Sequence, residues 1–182
     1  GGNVLTLWKE DSFKDPSAEE WNAWDIGVSD ASEEATPTTA PQPALSCCGE
    51  PAIRTLHTYG ASTFTSTVSL PRDQAYVDVL IECDWRETLT MLRTEFHLDV
   101  GNGADAWFEI PYGAIMRERD GRETPFQRWV DLSDAKHGAT LVTDSRRACS
   151  VKENAIRLTL LRCATNPDPI SDRGPYSFRY RL

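Results

Sequence analysis

Long apolar runs are missing from this 182-residue sequence. None approaches the roughly 20 consecutive apolar residues that a membrane-spanning helix needs. No basic segment followed by an apolar one opens the chain, so the sequence predicts neither a membrane span nor a secretory leader. The chain opens directly on strand-like residues, GGNVLTLW, as though it were cut from something longer.

A basic surface is missing as well, because the formal net charge is −9. Residues 1–50 hold ten Asp or Glu and two Lys or Arg, whereas the remaining 132 residues are almost neutral. Nucleic acids and anionic membrane surfaces both require a basic footprint on the protein. The charge distribution therefore predicts that the chain binds neither nucleic acids nor anionic membrane surfaces.

The cysteines form no regular framework. There are five, an odd number, and the adjacent Cys47 and Cys48 do not have the C-x-x-C spacing of a zinc or redox site. Cys83, Cys149 and Cys163 lie in strand-like runs, where a free cysteine behaves as a small buried hydrophobic residue. This pattern favours reduced thiols and a cytoplasmic location over a disulfide-bearing secreted protein.

Short strand-like segments make up most of the chain. In residues 62–70, apolar and polar side chains alternate with a period of two, which is typical of a β-strand with one buried face. Turn residues separate the segments, and no long amphipathic helix with caps is present. The runs lie near 62–70, 75–83, 88–99, 104–111, 127–132, 138–143, 155–163 and 176–182. They predict an all-β protein, an antiparallel β-sandwich.

The composition divides the chain into three parts. Residues 31–46 are rich in proline and threonine and contain no aromatic residue, so they are predicted to be a linker or loop. Residues 1–30 form an N-terminal arm with three of the six tryptophans, which predicts that the arm packs on the sandwich. Residues 47–182 form the β-sandwich body, and the whole is interpreted as one domain.

The segment CDWRETLTMLRTEFHLDV, residues 83–100, carries the densest set of acidic, basic and imidazole groups. Strand alternation places Arg93, Glu95, His97 and Asp99 on one face, with same-face neighbours roughly 6.6–6.8 Å apart. Glu95, His97 and Asp99 could therefore hold a metal, as in a metal-dependent enzyme. A salt-bridged polar face of an ordinary sandwich strand is the favoured interpretation.

Other motifs of catalysis are absent. Neither His57 nor His137 belongs to an H-x-H or H-E-x-x-H pattern, and no G-x-S-x-G signature occurs. Exposed aromatic rings could form a platform for pyranose rings, although most tryptophans of a sandwich belong to its core. The candidates for such a platform are Trp85, Trp107, Trp129, Tyr112 and Tyr176.

Several stretches in series resemble the C-terminal β region of glycoside hydrolase family 38, the retaining, zinc-dependent α-mannosidases. The clearest is W-V-D-L-S-D at 129–134, which is similar to the W-V-D-L-S of the family. Others are C-D-W-R-E (83–87), E-I-P-Y-G (109–113), N-A-I-R-L-T-L-L-R (154–162), P-D-P-I-S-D-R-G (167–174) and F-R-Y (178–180). Their order and approximate spacing are those of the family across nearly the whole chain.

The resemblance implies a supersandwich-like fold, similar to galactose mutarotase, and a non-catalytic role. It places the Asp nucleophile and the zinc ligands in an N-terminal catalytic domain, so no catalytic residue, metal ligand or cofactor is expected in this fragment. The expected partners are that catalytic domain and, through the parent enzyme, mannosides; the resemblance leaves a homo-oligomeric parent open. The fragment alone is expected to be inactive.

One turn region of the family can approach the sugar site of the catalytic domain. It corresponds here to T-D-S-R-R-A-C-S-V-K-E-N at 143–154, which lacks the glycine and tyrosines of the family pattern. By resemblance, Arg146, Arg147 and Lys152 are the candidates for a contact with sugar or with the partner domain.

The alternative function is a stand-alone carbohydrate-binding β-sandwich module.

Overall fold

The computed structural model describes residues 3–8, 32–101 and 103–182, and all regular structure within them is β. The first eight strands are β1 (Asn3–Trp8), β2 (Ser32–Glu34), β3 (Gln42–Leu45), β4 (Pro51–Tyr59), β5 (Ser62–Ser69), β6 (Asp78–Trp85), β7 (Met91–His97) and β8 (Asp105–Ile110). The others are β9 (Gly113–Arg117), β10 (Thr124–Pro125), β11 (Trp129–Ser133), β12 (Gly138–Thr143), β13 (Ala148–Lys152), β14 (Ala155–Leu161) and β15 (Gly174–Arg181). Among these residues no helix is long and apolar enough to cross a membrane.

The strands form two antiparallel sheets. A six-stranded sheet has the order β10-β13-β14-β7-β1-β2, and a nine-stranded sheet has the order β3-β4-β5-β6-β15-β12-β11-β8-β9. One apolar cluster between them contains Leu92 and Ile156 of the smaller sheet and Val79, Val130 and Phe178 of the larger one. The predicted all-β antiparallel sandwich is therefore confirmed.

The nine-stranded sheet is wider than the six-stranded sheet. Towards both of its edges, apolar residues on the core side of the sheet are therefore left exposed. Val79 on β6 is fully buried, but Ile53 on β4, two strands further along the same register row, is 56% exposed. Val130 on β11 is also fully buried, whereas Ile115 on the edge strand β9, in the same row, is 44% exposed. Both isoleucines face the side of the sheet that forms the core.

The N-terminal segments take part in the sheets. Strand β1 pairs with β7 on one side and β2 on the other. The region 31–46, predicted as a linker, differs from that expectation, because it supplies an edge strand to each sheet, β2 and β3. Pro43 lies on edge strand β3, where the missing N–H of proline is tolerated. Phe13, Trp21 and Trp24 of the predicted arm lie outside the described residues.

Strand β7 follows the predicted alternation but not the predicted environment. Leu92 and Phe96 face the core, and the Tyr180 hydroxyl donates to Thr94 Oγ1 at 3.0 Å on the same side. Arg93 and Glu95 face the other way, yet both are buried. The polar face of this strand is therefore covered, whereas alternation alone predicts an ordinary polar side.

Gly138, at the start of β12, permits a close approach between two strands. It is paired with Ser133 of β11, and a Cβ atom at this position would lie only 2.6 Å from Ser133 Cα. Backbone atoms cannot yield to such a contact, so the hairpin between β11 and β12 requires glycine here.

Candidate functional site

The buried face of β7 contains an ion pair. Arg93 Nη2 lies 2.5 Å from Glu123 Oε2, and the two side chains are only 8% and 4% exposed. Thr159 on β14 joins the pair, because its hydroxyl accepts from Arg93 Nε at 3.1 Å and donates to Glu123 Oε1 at 2.5 Å. Arg93, Glu123 and Thr159 therefore form an ion pair and hydrogen bonds with one another, and their role is structural.

Glu95, the central residue of the possible metal site, is also engaged. Its carboxylate lies 3.2 Å from Arg157 Nε and 3.0 Å from His97 Nε2. The guanidinium groups of Arg157 and Arg93 lie 4.9 and 5.1 Å from the centre of the Trp8 ring, in cation–π geometry. The charged groups on this face of β7 therefore pair with one another and with the Trp8 ring.

The structure does not assemble the proposed metal site. Within 3–8, 32–101 and 103–182, no group of three His, Cys, Asp or Glu side chains is arranged to hold a metal ion. Glu95 is paired with cationic Arg157, and Asp99 follows the end of β7 at His97. The described residues therefore do not provide the alternative metal site built on Glu95, His97 and Asp99.

His57 is a core histidine. Its ring stacks on Phe64 with centroids 5.2 Å apart, and Nδ1 lies 3.2 Å from the carbonyl oxygen of Ala35. Burial lowers the pKa of His57, so the ring is neutral at physiological pH. A buried neutral ring packed between β4 and β5 is a structural element of the sandwich.

All five cysteines are free thiols. Burial raises the pKa of Cys83 to about 11 and that of Cys163 to about 12, and it raises that of Cys149 as well. Thiols with such pKa values are unreactive near neutral pH, because the thiolate is the nucleophile. The prediction that these three cysteines act as buried hydrophobic residues is confirmed.

The three basic residues expected near a sugar site lie at two ends of one strand. Arg146 and Arg147 precede β13, while Lys152 ends it, about 16 Å further along an extended strand. Arg146 places its guanidinium 4.4 Å from the centre of the Phe178 ring. Arg147 donates to the carbonyl oxygen of Gln127. Arg146 and Arg147 are thus neighbours in the turn before β13 with different contacts, and Lys152 lies at the far end of that strand.

The five aromatic candidates fall into different environments. Trp85 is completely buried in the core, Tyr176 is half-buried against Phe178, and Tyr112 is fully exposed at the β8–β9 turn. Trp107, 41% exposed, and Trp129, half-buried, remain as a pair on the outer face of the nine-stranded sheet. These two side chains line a common hollow.

We call this hollow the tryptophan groove, and its lining residues are Trp107, Trp129, Asp131, Thr140 and Val142. It has a volume of about 380 Å³. Strand register assembles it, because Trp107 is paired with Asp131, Asp131 with Thr140, and Trp129 with Val142. Outward-facing positions on three adjacent strands therefore meet in one place.

Asp131 is the polar centre of the tryptophan groove. Its Oδ1 accepts from the Ser133 hydroxyl at 2.7 Å, and its Oδ2 accepts from the Thr140 hydroxyl at 2.6 Å. An ionised carboxylate has about four acceptor positions, so each oxygen can accept a further hydrogen bond. A second hollow of about 800 Å³ adjoins the groove and shares Asp131, Thr140 and Val142 with it.

Asp134 forms the turn that borders the second hollow. Its carboxylate accepts from the backbone N–H of Gly101 at 2.6 Å and from those of Lys136 and His137 at 2.7 and 2.8 Å. These hydrogen bonds, with that from Gly101 the largest cause, lower the pKa of Asp134 to about 2. The carboxylate thus stabilises the β11–β12 turn in its charged form.

Asp134→Asn is expected to lower stability at pH 7 and to weaken the acid dependence of folding. Because the folded pKa of Asp134 is depressed, its contribution is present above the unfolded value of about 4 and is lost as pH falls towards 2. Thermal unfolding should show a gap between the two proteins at pH 7 that narrows between pH 4 and 2. A gap independent of pH would contradict this role.

Sequence reasoning identified Trp107 and Trp129 as candidates but missed Asp131 and Thr140. A local signal existed, because Trp129 and Asp131 are two residues apart and so share a strand face. Which face is exposed, and that β8 and β12 flank β11, depend on long-range pairing that no local pattern contains.

The chain was compared with known families and proteins. The model of the glycosyl hydrolases family 38 C-terminal domain matches residues 3–170. Alpha-mannosidase 2C1 of Mus musculus is 27% identical over 175 residues, covering 89% of this chain and 17% of that protein. The Homo sapiens protein of the same name is 28% identical with the same coverage. Alpha-mannosidase G of Dictyostelium discoideum is 28% identical over 131 residues, covering 68% of this chain and 12% of that protein.

Solved structures show the same fold. An alpha-mannosidase from Enterococcus faecalis V583 superposes with a TM-score of 0.75 at 11% identity, covering 98% of this chain and 25% of that chain. A family 38 glycosyl hydrolase from Enterococcus faecalis gives a TM-score of 0.74 at 12% identity, covering 98% and 26%. The chain thus spans between 12% and 26% of the length of these proteins. Since the family model covers most of its length, the chain belongs to the glycosyl hydrolase family 38 C-terminal domains.

Proposed function

We propose that this chain is the non-catalytic β-sandwich domain of an α-mannosidase. The parent enzyme hydrolyses terminal α-mannosidic linkages with retention, using zinc and an Asp nucleophile carried by a separate catalytic domain. The single observation that carries this proposal is the family match over residues 3–170. Relatives named alpha-mannosidase, of which this chain spans 17% or less, support it.

The role of the domain in this proposal is to pack against the catalytic domain. The supporting observation is that two rows of core-side residues become exposed towards the edges of the nine-stranded sheet, at Ile53 and at Ile115. Apolar side chains on the core side of a sheet are normally covered, and exposed apolar surface of this kind marks interaction sites. The family match suggests that the catalytic domain covers these exposed core-side residues, which we call the overhanging rows.

Arg146, Arg147 and Lys152 are proposed as further contacts with that domain or its sugar. Arg147 is exposed in the turn between β12 and β13, and Arg146 and Lys152 are half-buried, so Arg147 is the most accessible of the three. A cytoplasmic location is proposed from the five free thiols, since disulfides are rare in reducing compartments. A homo-oligomeric parent is compatible with the same exposed edges.

A binding experiment with interface variants tests this role. The chain and the separately produced catalytic domain of the parent should associate in a pull-down or by calorimetry. Ile53→Lys or Ile115→Lys should weaken association by about tenfold or more, because each puts a charge into the apolar contact. Both variants should leave the thermal stability of the free chain nearly unchanged, because the two side chains are largely exposed.

Ile170→Lys is the matched control, since Ile170 is an exposed isoleucine outside the overhanging rows. This variant should associate as the unsubstituted chain does. Equal weakening by all three variants, or no association of the unsubstituted chain, would contradict the proposed packing.

A further inference from the structure

Within the described part of the chain, the two tryptophans of the groove on the outer face of the nine-stranded sheet do not belong to the core cluster. The core lies on the other side of this sheet, where Phe108 and Val130, one residue from Trp107 and Trp129 along their strands, are fully buried. The two indole rings are therefore available to a ligand, and Trp107 remains 41% exposed. Side chains this large are costly to expose without a partner.

We propose that the tryptophan groove binds a pyranose oligosaccharide, a site that goes beyond the assembly role of the domain. An indole ring is flat and apolar, as is the C–H face of a pyranose, so the two can stack. Trp107 and Trp129 are diagonal neighbours on adjacent strands, which sets their Cα atoms roughly 7–8 Å apart. This spacing allows one sugar ring, or two linked rings, to contact both indoles.

Polar groups at the centre of the groove match the hydroxyls of a sugar. The Asp131 carboxylate is held in place by Ser133 and Thr140, so its orientation is fixed before a ligand arrives. Its remaining acceptor positions can receive two hydroxyl protons from adjacent carbons of a sugar ring. A fixed carboxylate between two aromatic rings combines stacking with directional hydrogen bonds, as pockets for small ligands do.

The size and charge of the surroundings fit an uncharged oligosaccharide. The adjoining hollow of about 800 Å³ continues from Asp131 past Lys136 and His137 towards Arg181 and gives room for further sugar units. Acidic and basic residues both line it, so no single sign of charge dominates. Within the groove itself, Asp131 and Thr140 supply polar groups beside the apolar surfaces of Trp107, Trp129 and Val142.

Titration of the 182-residue chain with two pyranose probes, mannotriose and cellotriose, tests the proposal. Indole N–H resonances in NMR spectra report each tryptophan separately. We expect saturable shifts of the Trp107 and Trp129 resonances with at least one probe, at a dissociation constant on the order of 1 mM or tighter. The Trp85 resonance, from the buried core, should not move.

Three variants assign the binding to the groove. Trp107→Ala and Trp129→Ala should each weaken binding by about tenfold. Asp131→Asn, nearly identical in shape, should also weaken it and guards against loss of fold in the tryptophan variants. Tyr112→Asn is the matched control, because it removes an exposed aromatic ring outside the groove at a positive φ of 68°, which asparagine tolerates.

Each outcome bears on the proposal separately from the assembly role. Absence of saturable binding for both probes would overturn it, even if the domain associates with a catalytic domain. Concentration-dependent self-association that covers Trp107 and Trp129, without sugar binding, would overturn it too. Binding that survives all three groove variants would likewise place the sugar elsewhere.

Discussion

Trp85→Ala is expected to destabilise the sandwich by about 3–5 kcal/mol, the range for deleting a buried tryptophan. Trp85 is completely buried, and its Nε1–H donates to Cys163 Sγ. Its ring stacks on that of Tyr59 and is tilted against that of Phe64, with centroids 6.5 Å apart in both pairs. Its loss leaves a cavity that rigid strands cannot fill. Thermal unfolding should show a midpoint lowered by roughly 6–20 °C.

The matched control for this variant is Trp107→Ala, which removes the same side chain from the outer face. Trp107 is 41% exposed, so its removal should cost about 1 kcal/mol, an ordinary value for a single substitution. Trp85→Phe keeps most of the ring volume but removes the hydrogen bond to Cys163, so its cost should lie between the two. Equal losses for Trp85→Ala and Trp107→Ala would show that Trp85 is not the core anchor.

Glu123→Ala is expected to have a comparable effect, about 3–5 kcal/mol, through charge instead of volume. The substitution removes the carboxylate that neutralises Arg93 and leaves a guanidinium buried without its counter-ion. Thr159, which donates to Glu123, loses its acceptor as well. Urea unfolding at pH 7 measures this loss as a lower midpoint with an unchanged slope.

The double variant Arg93→Met with Glu123→Leu separates the cost of an unpaired charge from the value of the pair. Replacing both members of a buried ion pair with apolar residues of similar volume is often close to neutral. The double variant should therefore recover most of the stability that Glu123→Ala loses. A double variant as unstable as the single one would mean that packing, and not the unpaired charge, dominates at this position.

The strand alternation in the sequence contained most of the fold. The runs around Phe64, Ile81 and Leu158 are strands in the structure, and all three side chains lie in the core, as the period-two pattern of residues 62–70 indicates for Phe64. Strand β9 escaped prediction because its residues, G-A-I-M-R, lack clear alternation of polar and apolar side chains. Such short strands form because a neighbour supplies their hydrogen bonds, which is a tertiary effect.

The environment of each face could not be predicted in the same way. Alternation placed Arg93 and Glu95 together, but their burial depends on Glu123 and Trp8, which are distant in sequence. Likewise, Trp107 was one of five aromatic candidates, and only strand register brings it beside Asp131. Local sequence specifies which residues share a face, and long-range pairing decides what covers that face.

We propose that this domain completes an α-mannosidase without performing the hydrolysis itself. Hydrolysis of an aryl α-mannoside, in the presence of zinc, tests it most directly. The 182-residue chain alone should show no hydrolysis, whereas the parent protein that joins it to the catalytic domain should be active. Hydrolysis by the isolated chain would contradict this non-catalytic role, and full activity of the catalytic domain when this domain is removed would contradict its part in assembly.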